Sequence, residues 1–196
     1  MTTNYYDQNA ESFAKRTIER DVSDAYKKFL NFLPSKGRIL DAGCGSGRDA
    51  RHFKQLGHDV IAFDASIEMV KLSSLEAGHQ TLHLNFQDMA FKEEFDGIWA
   101  CASLLHVPYE QTEEVIHKIK DALKPKGFFY ASYKHGDAQE TSSDGRIFYN
   151  MNETTILPYL DNSFKIIEMW QTPYTSAHAH ATATKSWLNI LCQKMD

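Results

Sequence analysis

Three things are scarce in this 196-residue sequence, and each scarcity removes a class of protein. Cysteine occurs three times, at Cys44, Cys101 and Cys192, odd in number and far apart, so neither a disulfide framework nor a zinc knuckle is expected. No apolar run approaches the length of a bilayer span, and the N-terminal MTTNYYDQNAESFAKR is polar and acidic in places, unlike a secretory leader. Basic charge is in deficit: 21 Lys and Arg stand against 26 Asp and Glu, a formal net charge of -5. Duplex nucleic acid is bound by clustered Lys and Arg that displace counterions, so this balance argues against a nucleic-acid partner. The expectations are a reducing, cytoplasmic setting, no membrane partner and no nucleic-acid partner.

What remains is the composition of a soluble globular chain, 42% hydrophobic and 24% charged, long enough to bury a substantial core in one domain. Residues 9 to 33 place Phe13, Val22, Ala25, Phe29 and Leu33 at spacings of three, four or nine, which predicts amphipathic helix ahead of Pro34. The period then changes. RILDAG, DVIAFD, LHLNFQD, FDGIWACAS and GFFYASY are short apolar runs ending in polar or small residues, as buried parallel strands do. Helical segments are predicted near 48–57, 66–77 and 109–125, the last with Val115, Ile119 and Ala122 on one face. After a helical NETTILPYL, FKIIEMWQT and WLNILCQK are separated by residues 173 to 186, which show no helical face, so they are expected to pair antiparallel. The fold class is α/β: a Rossmann-like, doubly wound sheet of seven strands, mostly parallel, with an antiparallel C-terminal edge strand.

The first strand runs into ILDAGCGSGRDA, residues 39 to 50. In such a sheet the turn after the first strand faces the ligand, which puts Gly43, Gly45 and Gly47 at the site. A dinucleotide fingerprint needs a third glycine where Arg48 stands, and Asp41 just before the turn would repel a pyrophosphate unless turned away. An acid there suits a cationic, phosphate-free ligand. S-adenosylmethionine is one, with an ammonium for Asp41 to bind through a charge-assisted hydrogen bond. Asp64, twenty-one residues after Gly43, ends the second strand where an acid can grip ribose hydroxyls or, with Ser66 and Glu68 following, cap a helix. Asp88 in FQDMAF can accept from an adenine amine or cap a turn, with Met89 and Phe91 offering apolar contact.

LDAGCGSGRD, VIAFDAS, FQDMAF, FDGIWACASLLHV and LKPKGFFYAS, in this order, resemble the successive motifs of the class I S-adenosylmethionine-dependent methyltransferases, over roughly residues 5 to 194. The resemblance implies a single methyltransferase domain, 1–196, with residues 1–34 as a helical lid and 35–196 as the Rossmann-like core. It implies S-adenosylmethionine as cofactor, contacted by Asp41, Gly43, Gly45, Asp64 and Asp88, with Ala65, Ser66 and Met69 near the adenosine and Cys101 or Ala102 along the methionine portion. On the lid segment, which carries Tyr5, Tyr6, Phe13 and Arg16, Arg16 would pair with the cofactor carboxylate and a tyrosine would hydrogen-bond at the acceptor side; the competing reading is a surface helix with a hydrophobic face.

His106 follows the fourth strand in LLHVPY. It is either a base taking a proton from the acceptor or a histidine bonded to backbone near a helix start. Tyr109, Tyr133 and His135 are further residues placed toward the acceptor, with a plain loop role the competing reading for His135. The HAH at 178 to 180 has the look of a metal pair but no third ligand nearby in sequence, and no metal is expected. No D-P-P-Y or N-P-P-Y follows the fourth strand, only VPY at 107–109, and there is no Pro-Cys nucleophile. With the acidic balance, this favours a small-molecule acceptor. A regulatory module that holds the cofactor without turnover and an NAD-dependent oxidoreductase are the alternatives, and the acceptor atom and oligomeric state stay open.

Overall fold

The structure is a computed structural model describing residues 2–78, 80–160, 163–173 and 185–195. Two helices lead the chain: α1, Thr2–Thr17, kinked at Asn9 where the backbone leaves helical geometry, and α2, Ser23–Leu30. There follow β1 (Arg38–Ala42), α3 (Arg48–Gln55), β2 (Asp59–Asp64), α4 (Ile67–Ala77), β3 (Leu82–His83), β4 (Phe95–Ala100), α5 (Tyr109–Ala122) and β5 (Leu123–Lys134). A short hairpin, β6 (Gln139–Thr141) with β7 (Ile147–Tyr149), precedes α6 (Leu157–Leu160), β8 (Phe164–Pro173) and β9 (Ser186–Lys194).

Seven strands form one sheet in the order β3-β2-β1-β4-β5-β9-β8, parallel from β3 through β5 and antiparallel at both contacts of β9. The C-terminal strand therefore lies one place in from the edge, between β5 and β8, rather than at the edge itself. Its Leu188, Asn189, Ile190, Leu191 and Cys192 are all buried, which only a strand with partners on both sides sustains.

Alternation along each strand builds two cores. Ile39, Ala62, Trp99, Tyr130 and Leu191 pack on one side against Phe29 of α2 and Phe53 of α3; Leu40, Phe63, Ile98, Phe129 and Ile190 pack on the other against Val115, Ile116 and Ile119 of α5. Each of these large side chains contributes roughly 1.5–3 kcal/mol by leaving water.

Two expected elements come out differently. LHLNFQD pairs only at Leu82 and His83, then curls into a single 3-10 turn, Phe86–Asp88. NETTILPYL is helical only over its last four residues, because the Asn152 side chain accepts hydrogen bonds from the Thr154 and Thr155 amides and holds a turn there instead. The HAH sequence lies outside the described residues. Among the described residues, no helix is long and apolar enough to cross a membrane.

Candidate functional site

Chain order reverses between β1 and β4, and the carboxyl ends of the strands there open into a cavity of about 880 Å³. Its floor comes from the β1 turn, its sides from the ends of β2, β4 and β5, and its cover from α1, which contributes Thr2, Thr3, Tyr6, Phe13, Arg16 and Thr17.

The glycines of the β1 turn do different work. Gly43 lines the cavity and donates its amide to the Phe63 carbonyl, tying the turn to β2. Gly45 has φ +55, its amide donates to Asp64 Oδ2 at 2.9 Å, and a Cβ built there would meet nothing within 4 Å. Above Gly45 the cradle is open. Gly47, at φ +86, does not line the cavity: a Cβ there would come within 2.7 Å of Ser73 Oγ and 2.8 Å of Ser73 Cα on α4. The expectation that it faces a ligand is corrected, since its hydrogen-sized side chain serves helix packing.

Asp64 holds the turns together: Oδ2 takes the Gly45 amide and Oδ1 the Ser66 amide at 2.9 Å, and the residue lines the cavity. Burial pushes its pKa up against these amide hydrogen bonds. The helix N-cap itself is Ser66, whose Oγ accepts from the Met69 amide at 3.2 Å and donates to Asp7 Oδ1 of α1 at 2.6 Å. Asp41 sits beneath the turn, 1% exposed, and is not part of the cavity wall. One of its oxygens has no hydrogen-bond partner, and burial, reinforced by the Asp49 charge, pushes its pKa well up.

Arg48 and Asp49 form the wall beside it. Asp49 accepts from Arg48 Nε and Nη2, from Trp99 Nε1 at 2.8 Å and from the Tyr26 hydroxyl; burial opposes its ionisation, but the Arg48 charge and these donors hold its pKa below the usual range. Arg48 also reaches the Thr17 carbonyl at 3.2 Å, joining the end of α1 to the β1 turn.

These features can be set beside known proteins. Residues 39–127, which include β1 through β4 and the start of β5, match the family described as Methyltransferase domain. An uncharacterized methyltransferase of Staphylococcus carnosus is 27% identical over 159 residues, 76% of this chain and 77% of that protein. A ubiquinone biosynthesis O-methyltransferase of Xanthomonas axonopodis is 34% identical over 106 residues, half of this chain but only 44% of that protein. Among solved structures, 1,6-didemethyltoxoflavin-N1-methyltransferase of Burkholderia thailandensis superposes with a TM-score of 0.78 at 21% identity, covering 99% of this chain and 88% of that one. Over residues 39–127 the chain is similar to the methyltransferase domain family, and over nearly its whole length it shares the fold of the Burkholderia methyltransferase.

The protein brings together at its cavity Tyr6, Arg16, Gly43, Gly45, Asp64, Ala65, Ser66, Met69, Cys101, Ala102 and His106. Arg16 is already engaged, donating to the Tyr5 hydroxyl at 2.9 Å. Asp88 and Met89 are corrected: the 3-10 turn sends Asp88 to solvent, where it accepts from Asn85 Nδ2 at 2.9 Å, and Met89 into the core. Asn85, Phe86 and Gln87 line the cavity in their place. Tyr5, Tyr109, Tyr133 and His135 are not on the cavity. The Tyr5 ring lies against Arg146, Tyr109 donates to the Asn150 carbonyl, and His135 pairs with Glu153. Tyr133 faces the α5 side of β5, while Tyr130 and Ser132, of opposite parity, face the cavity.

Sequence reasoning did not find Ser132, Asn189 or Asp7. Ser132 Oγ accepts the amide of Ala102, which sits at φ +52 and turns the chain sharply out of β4; Asn189 accepts the Tyr130 hydroxyl at 2.7 Å. The polar Ser132 in GFFYASY and Asn189 in WLNILCQK, each buried in an otherwise apolar strand, were the available signals. His106 is bonded to backbone, and it also lines the cavity. Nδ1 lies 2.8 Å from the Ile147 carbonyl and Nε2 2.8 Å from the Tyr6 hydroxyl, and burial lowers its pKa to about 4.

Proposed function

We propose that this protein is an S-adenosylmethionine-dependent methyltransferase acting on a small molecule held beneath α1. The observation that carries the reading is the cavity itself: a single space of about 880 Å³, covered by α1, must take both the adenosyl cofactor and the acceptor. Ligand pockets fall at roughly 300–1,000 Å³, so the room left beside the cofactor suits a small acceptor. The Burkholderia neighbour acts on 1,6-didemethyltoxoflavin and the Xanthomonas relative serves ubiquinone biosynthesis, both in keeping with such an acceptor.

The residues fit the cofactor. Asp64, pinned by two amides, keeps lone pairs for ribose hydroxyls. Asp41 keeps an unpartnered oxygen beneath the β1 turn, and an ammonium bound over the turn would favour its ionised form against burial. Asn85 and Gln87 offer polar edges to the adenine where Asp88 does not reach. Cys101 and Ala102 flank the methionine portion, Arg16 is placed for its carboxylate after releasing Tyr5, and α1 acts as a lid.

When bound, the cofactor supplies a methyl group on a positively charged sulfur, already activated for in-line displacement. The protein's own contribution is therefore to align the acceptor and keep water out, which α1, Phe13 and Tyr6 do from above. His106, neutral at any pH well above 4, presents its ring to the same space.

Calorimetry and a labelling experiment test this. S-adenosylhomocysteine should bind and NAD should not. With tritiated S-adenosylmethionine and a cell extract, label should appear in small metabolites. Label in RNA or protein overturns the acceptor assignment, and tight S-adenosylhomocysteine binding with no label anywhere indicates a regulatory module.

A further inference from the structure

Three groups from three parts of the chain form a continuous hydrogen-bonded line, two of them, His106 and Tyr6, on the cavity. At one end the Ile147 carbonyl of β7 lies 2.8 Å from His106 Nδ1. A carbonyl only accepts, so Nδ1 carries the proton and Nε2 carries the lone pair. Nε2 therefore receives the hydroxyl proton of Tyr6, 2.8 Å away on α1, whose ring stands edge-on to the imidazole at 5.5 Å between centroids. At the other end Arg146, also of the hairpin, stands with its guanidinium carbon 5.9 Å from the Tyr6 ring centroid. Arg146 is in turn held by Asp144, through Nη2 at 2.7 Å and Nε at 3.1 Å, and it covers the Tyr5 ring at 4.3 Å.

This arrangement leaves Tyr6 with one free capacity. Its proton is given to His106, so accepting through the oxygen is what Tyr6 can offer to the cavity. Tyr6 thus receives a hydrogen bond from a bound molecule; it does not donate one.

We propose that Tyr6 and His106 are a proton relay for the methyl acceptor, and that Arg146 is the positioning residue that sets Tyr6 in it. The proposal rests on the reading of this cavity as the transfer site. It narrows the acceptor to a molecule whose nucleophilic nitrogen or oxygen still bears a hydrogen. As that atom gains the methyl group, its proton passes to Tyr6 Oη, the Tyr6 proton passes to His106 Nε2, and the imidazolium so formed is held by Nδ1–H donation to the Ile147 carbonyl. The acceptor atom forms one bond to carbon and loses one to hydrogen, the proton ends on His106, and Tyr6 is regenerated as the phenol.

The groups facing His106 agree with this assignment. Tyr6 on α1 stays a phenol, its pKa pushed up to about 12 by burial despite Arg146. Arg146 on the hairpin and Lys134 at the end of β5 both oppose a positive charge on His106, adding to the effect of burial. The imidazole therefore rests neutral, ready to take a proton only when one is delivered along the line, and loses it readily afterwards.

The test needs no acceptor. Ring-nitrogen NMR of 15N-histidine-labelled protein, saturated with S-adenosylhomocysteine, reads the tautomer of His106 and the hydrogen bond at Nε2. The expected result is the Nδ1–H tautomer, with Nε2 shifted upfield of a free imine nitrogen. Tyr6→Phe should keep the tautomer and move Nε2 downfield. Arg146→Gln should move Nε2 in wild-type background and produce little further change in Tyr6→Phe. A His106 found protonated on Nε2 overturns the relay, since that nitrogen could not receive the proton. An equal effect of Arg146→Gln with and without the Tyr6 hydroxyl overturns the role of Arg146. Because S-adenosylhomocysteine affinity is measured on the same samples, a failure of the cavity to bind it is registered separately from a failure of the relay.

Discussion

His106 and Asp41 are displaced from their ordinary ionisation in opposite directions by the same cause, the loss of water around a charge. For His106 the sign is simple. The unfolded chain protonates near 6.5 and the folded one near 4, so between those values the unfolded state binds more protons and stability falls as pH drops. The loss attributable to this one group is on the order of 3 kcal/mol. Thermal unfolding followed from pH 7 to pH 4 should show this limb in the wild type and a flatter one in His106→Gln. Asp41→Asn removes a buried, half-satisfied acid beside Asp49, so the ligand-free protein should melt no lower while S-adenosylhomocysteine binds more weakly by calorimetry. Asp64→Ala should weaken the same ligand by about 1–3 kcal/mol, the usual result of deleting one side of buried hydrogen bonds. Unchanged affinity would leave Asp64 as a turn-holding residue only.

Within elements, the glycine turn shows how one motif divides its labour. At Gly45 an added methyl meets no atom of the protein, at Gly47 it meets the backbone of α4, and both positions have φ in the left-handed region. Gly45→Ala should therefore cost only the backbone strain, about 1–2 kcal/mol in melting experiments, and act mainly by intruding on the ligand. Gly47→Ala adds a clash with Ser73 to the same strain and should lower the melting temperature distinctly more, with α4 displaced. A larger loss of stability for Gly45→Ala than for Gly47→Ala would reverse this assignment. From the sequence alone the three glycines are equivalent, because what separates them is α4, twenty and more residues further on.

Across the whole molecule, the apolar runs made β1, β2, β4, β5, β8 and β9 legible, since buried strands write their burial into local composition. The position of β9 between β5 and β8 was not, because both sides of a strand read alike until its neighbours are known. The β6–β7 hairpin was hidden in GDAQETSSDGRIFYN, where only Ala138, Ile147, Phe148 and Tyr149 are apolar and the opposite strand is polar throughout. The strand-end side of the cavity was readable for a related reason: it lies on consecutive turns of one sheet, each carrying its own short motif. The proposed acceptor side brings together Tyr6, His106 and Arg146, residues 40 and 100 apart, and no local pattern announces such a meeting.

Asp7 ties this large-scale arrangement to the smallest. It belongs to α1, yet it accepts from the Ser66 hydroxyl at the start of α4, where Ser66 and Met69 themselves face the cavity. Lifting α1 therefore strips the Ser66 hydroxyl of its acceptor at the first turn of α4, beside the cavity, and a ligand that orders that turn favours the seated cover. Opening of the cover and loosening of the turn are then linked by a single coupling free energy. Asp7→Ala should speed amide exchange across α1 and weaken S-adenosylhomocysteine binding by calorimetry.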